Sequence, residues 1–328
     1  MLNKFNSHFL IQLCLIGSIA FANINSQTAS NIHYKHFIIY GQSLSTGHQS
    51  YPVISTENIH GNYMIGDQIW INYNNTNFSM FNPLIGTISN TFKTQSNHMT
   101  RAAGTVAECP LFGAVNHLQL KQPGQTILAS SCGTGGKSIE ELSKESQTTV
   151  LYSDFTKAIT SAASIVKAAG NNISCPAIFW MQGEWNYVGN GTGLTTGSSP
   201  TPDKNTYKSL MLTLKNNMQA EIKTTYSQTE KPLFFCYQTG VSYIRGKEQN
   251  IGMAQLEASN EQPDIICAGP VAQMTDRGGH LDANGYRWYG EMLAKVFYRT
   301  TVLKEKFKPL QPSKISRTNN SNELIISV

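Results

Sequence analysis

The apolar positions of the chain fall into short unbroken runs that stop at turn residues. Phe37-Ile38-Ile39-Tyr40 stops at Gly41, and Thr126-Ile127-Leu128-Ala129 runs into Ser130-Ser131-Cys132-Gly133. Ala177-Ile178-Phe179-Trp180-Met181, Leu233-Phe234-Phe235-Cys236-Tyr237 and Ile265-Ile266-Cys267-Ala268 follow, ahead of Gly183, Gly240 and Gly269. Runs without polar alternation predict strands buried on both faces, as in a parallel sheet. Between them the spacing turns helical. Thr105 to Leu120 carries Val106, Leu111, Ala114, Val115 and Leu118; Leu151 to Ala169 carries Phe155, Ala158, Ile159, Ala162, Ile165 and Val166. Asp203 to Tyr226 repeats the stripe with Tyr207, Leu210, Met211, Leu214 and Met218, and Asp282 to Tyr298 with Tyr286, Tyr289, Met292, Leu293 and Val296. Strands alternating with helices predict an α/β fold, a three-layer α/β/α sandwich on a mostly parallel sheet, in one domain over residues 31–305. Right-handed crossovers then bring every strand's C-terminal end to one edge, where α/β sheets build their sites.

Two segments interrupt the alternation. Residues 48–100 are long and Asn-rich, with one strand-like piece at Gln68 to Tyr73, and read as an elaboration over the cleft. Residues 189–202 form a Gly/Thr/Ser/Pro loop after a strand end. Residues 306–328 form a tail that closes on the strand-like Glu323-Leu324-Ile325-Ile326-Ser327-Val328. A lone terminal strand cannot bury itself. It either pairs back onto the domain, which is the favoured expectation, or opens an accessory β module.

Composition adds limits. The 328 residues are 40% hydrophobic and only 14% charged, with a formal net charge of +5. Lys and Arg are scattered singly, so no basic arm or nucleic-acid patch is indicated. At the N-terminus, Lys4 and His8 precede an apolar stretch from Phe9 to Ala22 that closes on Ala20-Phe21-Ala22. That is a signal peptide over residues 1–22, too short for a span of about 20 apolar residues, with a buried core helix as the other reading. Cleavage there leaves 328 − 22 = 306 residues, a secreted or periplasmic chain without an integral membrane span. The remaining cysteines, Cys109, Cys132, Cys175, Cys236 and Cys267, lack paired short spacing. Neither a disulfide framework nor a zinc site is indicated, and buried thiols are expected, with one Cys109–Cys132 bridge left open.

Candidate chemistry lies just past the strands. Gly41-Gln42-Ser43 puts a serine hydroxyl at the site edge, although a turn serine reads the same way. Gly133-Thr134-Gly135-Gly136-Lys137-Ser138 can turn backbone N–H groups toward an oxyanion, and is two residues short of a phosphate loop. Gln182-Gly183-Glu184-Trp185-Asn186 packs two amides, a carboxylate and an indole onto one strand end, as a site or a hydrogen-bonded loop anchor. Last, Asp276-Arg277-Gly278-Gly279-His280 sets a histidine on a Gly-bearing loop before the final helix, where Asp282 can act as N-cap.

Taken in order, these four blocks resemble the SGNH hydrolase superfamily over residues 35–300, above all its carbohydrate acetylesterase branch with the sialate O-acetylesterase-like proteins. Glu108-Cys109-Pro110-Leu111-Phe112-Gly113 resembles a substrate-side helix start in such proteins. Departures from the family pattern are the four-residue step from Asp276 to His280, Trp185 after the Glu, and Leu44 where the sialate branch has Asn. The resemblance implies a flavodoxin-like fold and a serine esterase without cofactor or metal. Ser43 would be the nucleophile, His280 the base and Asp276 the acid. Gly136, Ser43's own N–H and the amides of Gln182 or Asn186 would form the oxyanion hole. Gln42, Glu184 and Trp185 would meet an acylated carbohydrate or other ester, with Tyr187 and Tyr51 as further stacking aromatics. A lipase or acetyltransferase could use the same site, and an inactive glycan-binding protein could share the fold.

Overall fold

Each apolar run becomes a strand because both of its faces are covered. The computed structural model describes residues 31–50, 52–71, 77–86, 108–146, 150–188, 200–240, 242–275, 278–318 and 323–328. The chain divides into Met1–Ile32 and His33–Val328, and the fold is that of the second unit. Its sheet contains β1 (His33–Gly41), β2 (Tyr63–Ile65), β3 (Phe81–Pro83), β4 (Thr126–Ser131), β5 (Asn172–Ser174), β6 (Ala177–Met181), β7 (Leu233–Gln238) and β8 (Ile265–Pro270). The order is β3-β2-β4-β1-β6-β7-β8, with β5 alongside β1. Every pairing is parallel except β2 with β3. β1 therefore lies centrally, between β4 and β6.

Successive residues of a strand point to opposite faces. Ile38, Tyr40, Ile178, Trp180, Phe234 and Cys236 pack on one side, against helices Tyr152–Ala168, Lys204–Tyr226 and Asn250–Glu261. Phe37, Ile39, Phe179, Met181, Phe235 and Tyr237 pack on the other, against Pro110–Lys121 and Ala283–Phe297. This is the α/β/α sandwich. The helix starts follow local chemistry: Pro110 opens its helix, while the carboxylates of Asp203 and Asp282 accept from the N–H groups of Thr206 at 2.8 Å and Gly285 at 2.7 Å. The helix Asn250–Glu261 carries no comparable pattern signal, because it is buried through Gly252, Ala254, Gln255 and Ala258 as much as through Ile251.

The two helices of the second layer touch backbone to backbone. A Cβ on Gly290 would overlap the Pro110 carbonyl, and one on Gly113 would overlap that of Arg287. The elaboration joins the sheet at Tyr63–Ile65 and Phe81–Pro83; of the expected piece at Gln68 to Tyr73, Trp70 bridges in parallel to Ser131 at the end of β4, while Asn72 and Tyr73 lie outside the described residues. The five cysteines after Cys14 are buried free thiols, so Cys109 and Cys132 are not bridged.

The tail resolves in a third way. Leu324–Ser327 pairs antiparallel with Lys314–Arg317, in a two-stranded sheet separate from the main one. The terminal strand thus finds its partner inside the tail, and Leu324, Ile325 and Ile326 remain exposed.

Two measurements test this packing. Gly290→Ala should destabilise the protein by about 1–3 kcal/mol, read as a lower urea midpoint, since the added methyl must push the helix backbones away from each other. Deleting residues 313–328 should leave the thermal midpoint unchanged, because the exposed hairpin contributes no core; a clear drop would mean that it docks.

Candidate active site

The site begins where β1 ends against β6. Gly41 has φ 148, and the Met181 carbonyl stands where a side chain would be, so only glycine fits. The Gln42 N–H donates to that carbonyl at 2.9 Å. The Gln42 side-chain Oε1 accepts from the N–H groups of Gly183 at 3.1 Å and Trp185 at 3.0 Å. Thus pinned, the chain turns into α1 (Ser43–Thr46), a single turn closed by Gly47 at φ 78. Ser43 opens that turn, so its N–H has no carbonyl to meet within the helix. Its Oγ lies 2.7 Å from Nε2 of His280.

His280 arrives from the loop between β8 and the last helix. Its Nδ1 lies 2.9 Å from Oε1 of Gln49. The His48 ring meets it edge-on at 4.8 Å between centroids, and Tyr243 does so at 5.7 Å. Burial, and then the charge of His48, push the imidazole down to about 3, so it is neutral at ordinary pH and able to accept a proton.

Ser43 and His280 stand in a cavity of about 340 Å³ that Gln42, Gly136 and Trp185 also line. Gly135, from the expected glycine block, lines it too, whereas sequence patterning did not single out its other walls, Thr46, His48, Trp70 and Tyr243. Trp70 is fixed by donating its indole N–H to the Gly133 carbonyl at 2.8 Å. His48 and Gln49 follow Ser43 by five and six positions. A polar pair so close behind a candidate nucleophile is the one signal that could have found them.

Three expected site residues lie beneath the cavity instead of on its wall. Gln182 spends its amide hydrogens on the Lys137 carbonyl at 3.3 Å and Asn186 Oδ1 at 2.6 Å, and its Oε1 accepts from the Tyr207 hydroxyl at 2.9 Å. Asn186 gives its own to Glu140 at 3.1 Å and the Thr201 carbonyl at 3.1 Å. Neither amide has a hydrogen left for an oxyanion. Glu184 is fully buried, accepts from the Tyr237 hydroxyl and from the Gly240 N–H at 3.3 Å, and burial pushes its carboxyl up to about 7. Tyr187 also turns inward, its hydroxyl accepting the Ile251 N–H at 2.7 Å. Asp276, Tyr51 and the stretch 1–22 lie outside the described residues. Among the described residues no cluster of three or more His, Cys, Asp or Glu is placed to hold a metal. No helix among them is long and apolar enough to cross a membrane.

Comparison with known proteins meets this geometry from another side. Residues 33–299 match the family model described as "SASA: Carbohydrate esterase, sialic acid-specific acetylesterase". No functionally curated protein matches the chain. Among solved structures the fold resembles a protein from Arabidopsis thaliana (14% identity, TM-score 0.54, covering 81% of this chain and 98% of that one). It also resembles NanS (14%, TM-score 0.56, 82% and 98%). A third is a carbohydrate acetylesterase from Xanthomonas citri (13%, TM-score 0.50, 86% of this chain but 60% of that one). The matched span contains the whole sheet and both Ser43 and His280. The chain belongs to this SGNH-type carbohydrate esterase family and is a hydrolase.

Proposed function

We propose that the protein removes acyl groups, acetyl above all, from a carbohydrate through a Ser43-bound acyl intermediate. The observation that carries this reading is the 2.7 Å contact of Ser43 Oγ with His280 Nε2 at the foot of an indole-walled cavity. His280 takes the hydroxyl proton as Oγ bonds to the ester carbon, then returns it to the departing sugar oxygen as the C–O bond breaks. Water repeats the step: its proton goes to Nε2, its oxygen to the acyl carbon, and Ser43 recovers its hydrogen as the acid leaves. The developing oxyanion is met by the N–H groups of Ser43 and Gly136. Gln42 joins them, since its pinned Oε1 leaves Nε2 to donate to the substrate. Trp70 and Trp185 offer apolar faces to a sugar ring. Glu184 supports the strand end without touching the reacting atoms. Asp276 as the acid rests on family resemblance alone. Read as a signal peptide, the N-terminal stretch 1–22 supports export, with this chemistry outside the cytoplasm.

Acetate release from p-nitrophenyl acetate and a panel of acetylated glycans tests the reading. Ser43→Ala should lower kcat by at least about 10³-fold while the protein stays folded. Wild-type rates in that variant would remove Ser43 from the mechanism. The base must be unprotonated to work, so activity is lost as pH falls through the imidazole pKa. With that value depressed to about 3, kcat/KM should stay flat from pH 8 to pH 5, where an ordinary histidine would already have lost activity near 6.5.

A further inference from the structure

The residue behind the base is a neutral amide on a strained turn. Gln49 has φ 67, in the left-handed region that non-glycine residues enter only at a cost in strain. Its neighbours hold it there. The Ser50 N–H and hydroxyl both donate to the Gly47 carbonyl, at 3.2 and 2.5 Å, and the Ser50 hydroxyl accepts the Glu108 N–H at 2.6 Å. The His48 carbonyl accepts from the Tyr286 hydroxyl at 2.9 Å. Glu108 itself is buried, and its carboxylate fastens the same loop by accepting from the N–H groups of Ile54 at 3.1 Å and Ser55 at 2.9 Å. Backbone strain of this kind persists only where its surroundings over-determine it, and it concentrates at working sites. Here it delivers one atom, Oε1, to 2.9 Å from His280 Nδ1.

An amide oxygen can only accept, so Nδ1 must carry the ring hydrogen and Nε2 must offer its lone pair to Ser43. We infer that Gln49 is a positioning residue that locks His280 in the Nδ1–H tautomer, a neutral amide standing in the place where a carboxylate was expected. The inference rests on His280 being the base. The titratable groups that face the imidazole are His48, on the loop after α1, and Tyr243, on the turn Ser242–Ile244. Asp282, two residues on, is engaged with the Gly285 N–H at 2.7 Å and the Thr275 hydroxyl. Asp276 and Arg277 lie outside the described residues.

Glycine makes the informative replacement, because it removes the amide and also relieves the strain. Gln49→Gly should keep or raise the thermal midpoint while kcat falls at least about tenfold and KM stays within about twofold. Gln49→Glu should restore turnover and move the acid limb of kcat/KM up by about one pH unit or more, since a carboxylate beside Nδ1 favours the imidazolium. Imidazole nitrogen NMR reads the tautomer directly, whether or not any ester is turned over. Wild type should show Nδ1–H alone, and Gln49→Gly a mixture with the Nε2–H form that predominates in free histidine. If wild type shows the Nδ1–H tautomer yet hydrolyses no ester, the esterase reading fails and the placement of Gln49 stands. Three results overturn the inference: wild-type kcat in Gln49→Gly, an unchanged tautomer in that variant, or a loss of thermal stability that accounts for its lost activity. A collapse of kcat in Asp276→Asn beside a fully active Gln49→Gly would likewise return the role to the carboxylate.

Discussion

The site depends on one clamp between two parallel strands. Gln42 joins the end of β1 to the end of β6 three times, once through its N–H to Met181 and twice through Oε1, to Gly183 and Trp185. The absent side chain of Gly41 lets the strands close enough for this. Because β1 is central, flanked by β4 and β6, the residue after the clamp emerges where crossovers leave the sheet in opposite directions. Ser43 is that residue. Its position follows from three bonds to backbone groups of the neighbouring strand end, one from the Gln42 N–H and two to its side chain.

Below the clamp lies a polar layer whose side chains are engaged with one another. Gln182, Asn186, Tyr207 and Gln255 are bonded to one another within the core, and the half-buried Glu140 accepts from Asn186 at its margin. Buried amides are costly unless every hydrogen is placed, and a fully placed network is rigid. The rigidity passes upward: the Gly183 and Trp185 N–H groups that hold Gln42 belong to the same strand end. A group exhausted by structural bonds cannot also greet a developing charge, which is why the proposed mechanism gives that task to backbone N–H groups and to Gln42.

Much of the fold is legible as sequence because it rests on local patterns. Unbroken apolar runs such as Phe234 to Tyr237 need two covering layers, and helical stripes such as Phe155 to Val166 supply them. Ser43 and His280 are legible because one follows a strand end by two residues and the other lies on the Gly-bearing loop three positions before the last helix, so topology brings them to one edge. Gln49 is not legible in this way, since its role hangs on a left-handed turn that no pattern marks. Trp70 falls in the strand-like piece at Gln68 to Tyr73, but nothing in that pattern marks it as a cavity wall. The density of polar groups at 182–186 says that hydrogen bonds are made there, but not with what, and the two amides were therefore placed one layer too high.

The touching helices Pro110–Lys121 and Ala283–Phe297 carry a consequence for how this enzyme can change. One follows directly on Glu108, which ties down the loop bearing Gln49; the other follows His280 by three positions. Where they cross, carbonyl meets glycine, with no side chain that could shrink or swell to retune the spacing. The separation of the base from its support is thus a mechanical stop, not a packing average. A lineage that altered Gly113 or Gly290 would have to rebuild both mounts together, so diversity in substrate should accumulate on the indole-bearing walls, leaving the helix crossing unchanged.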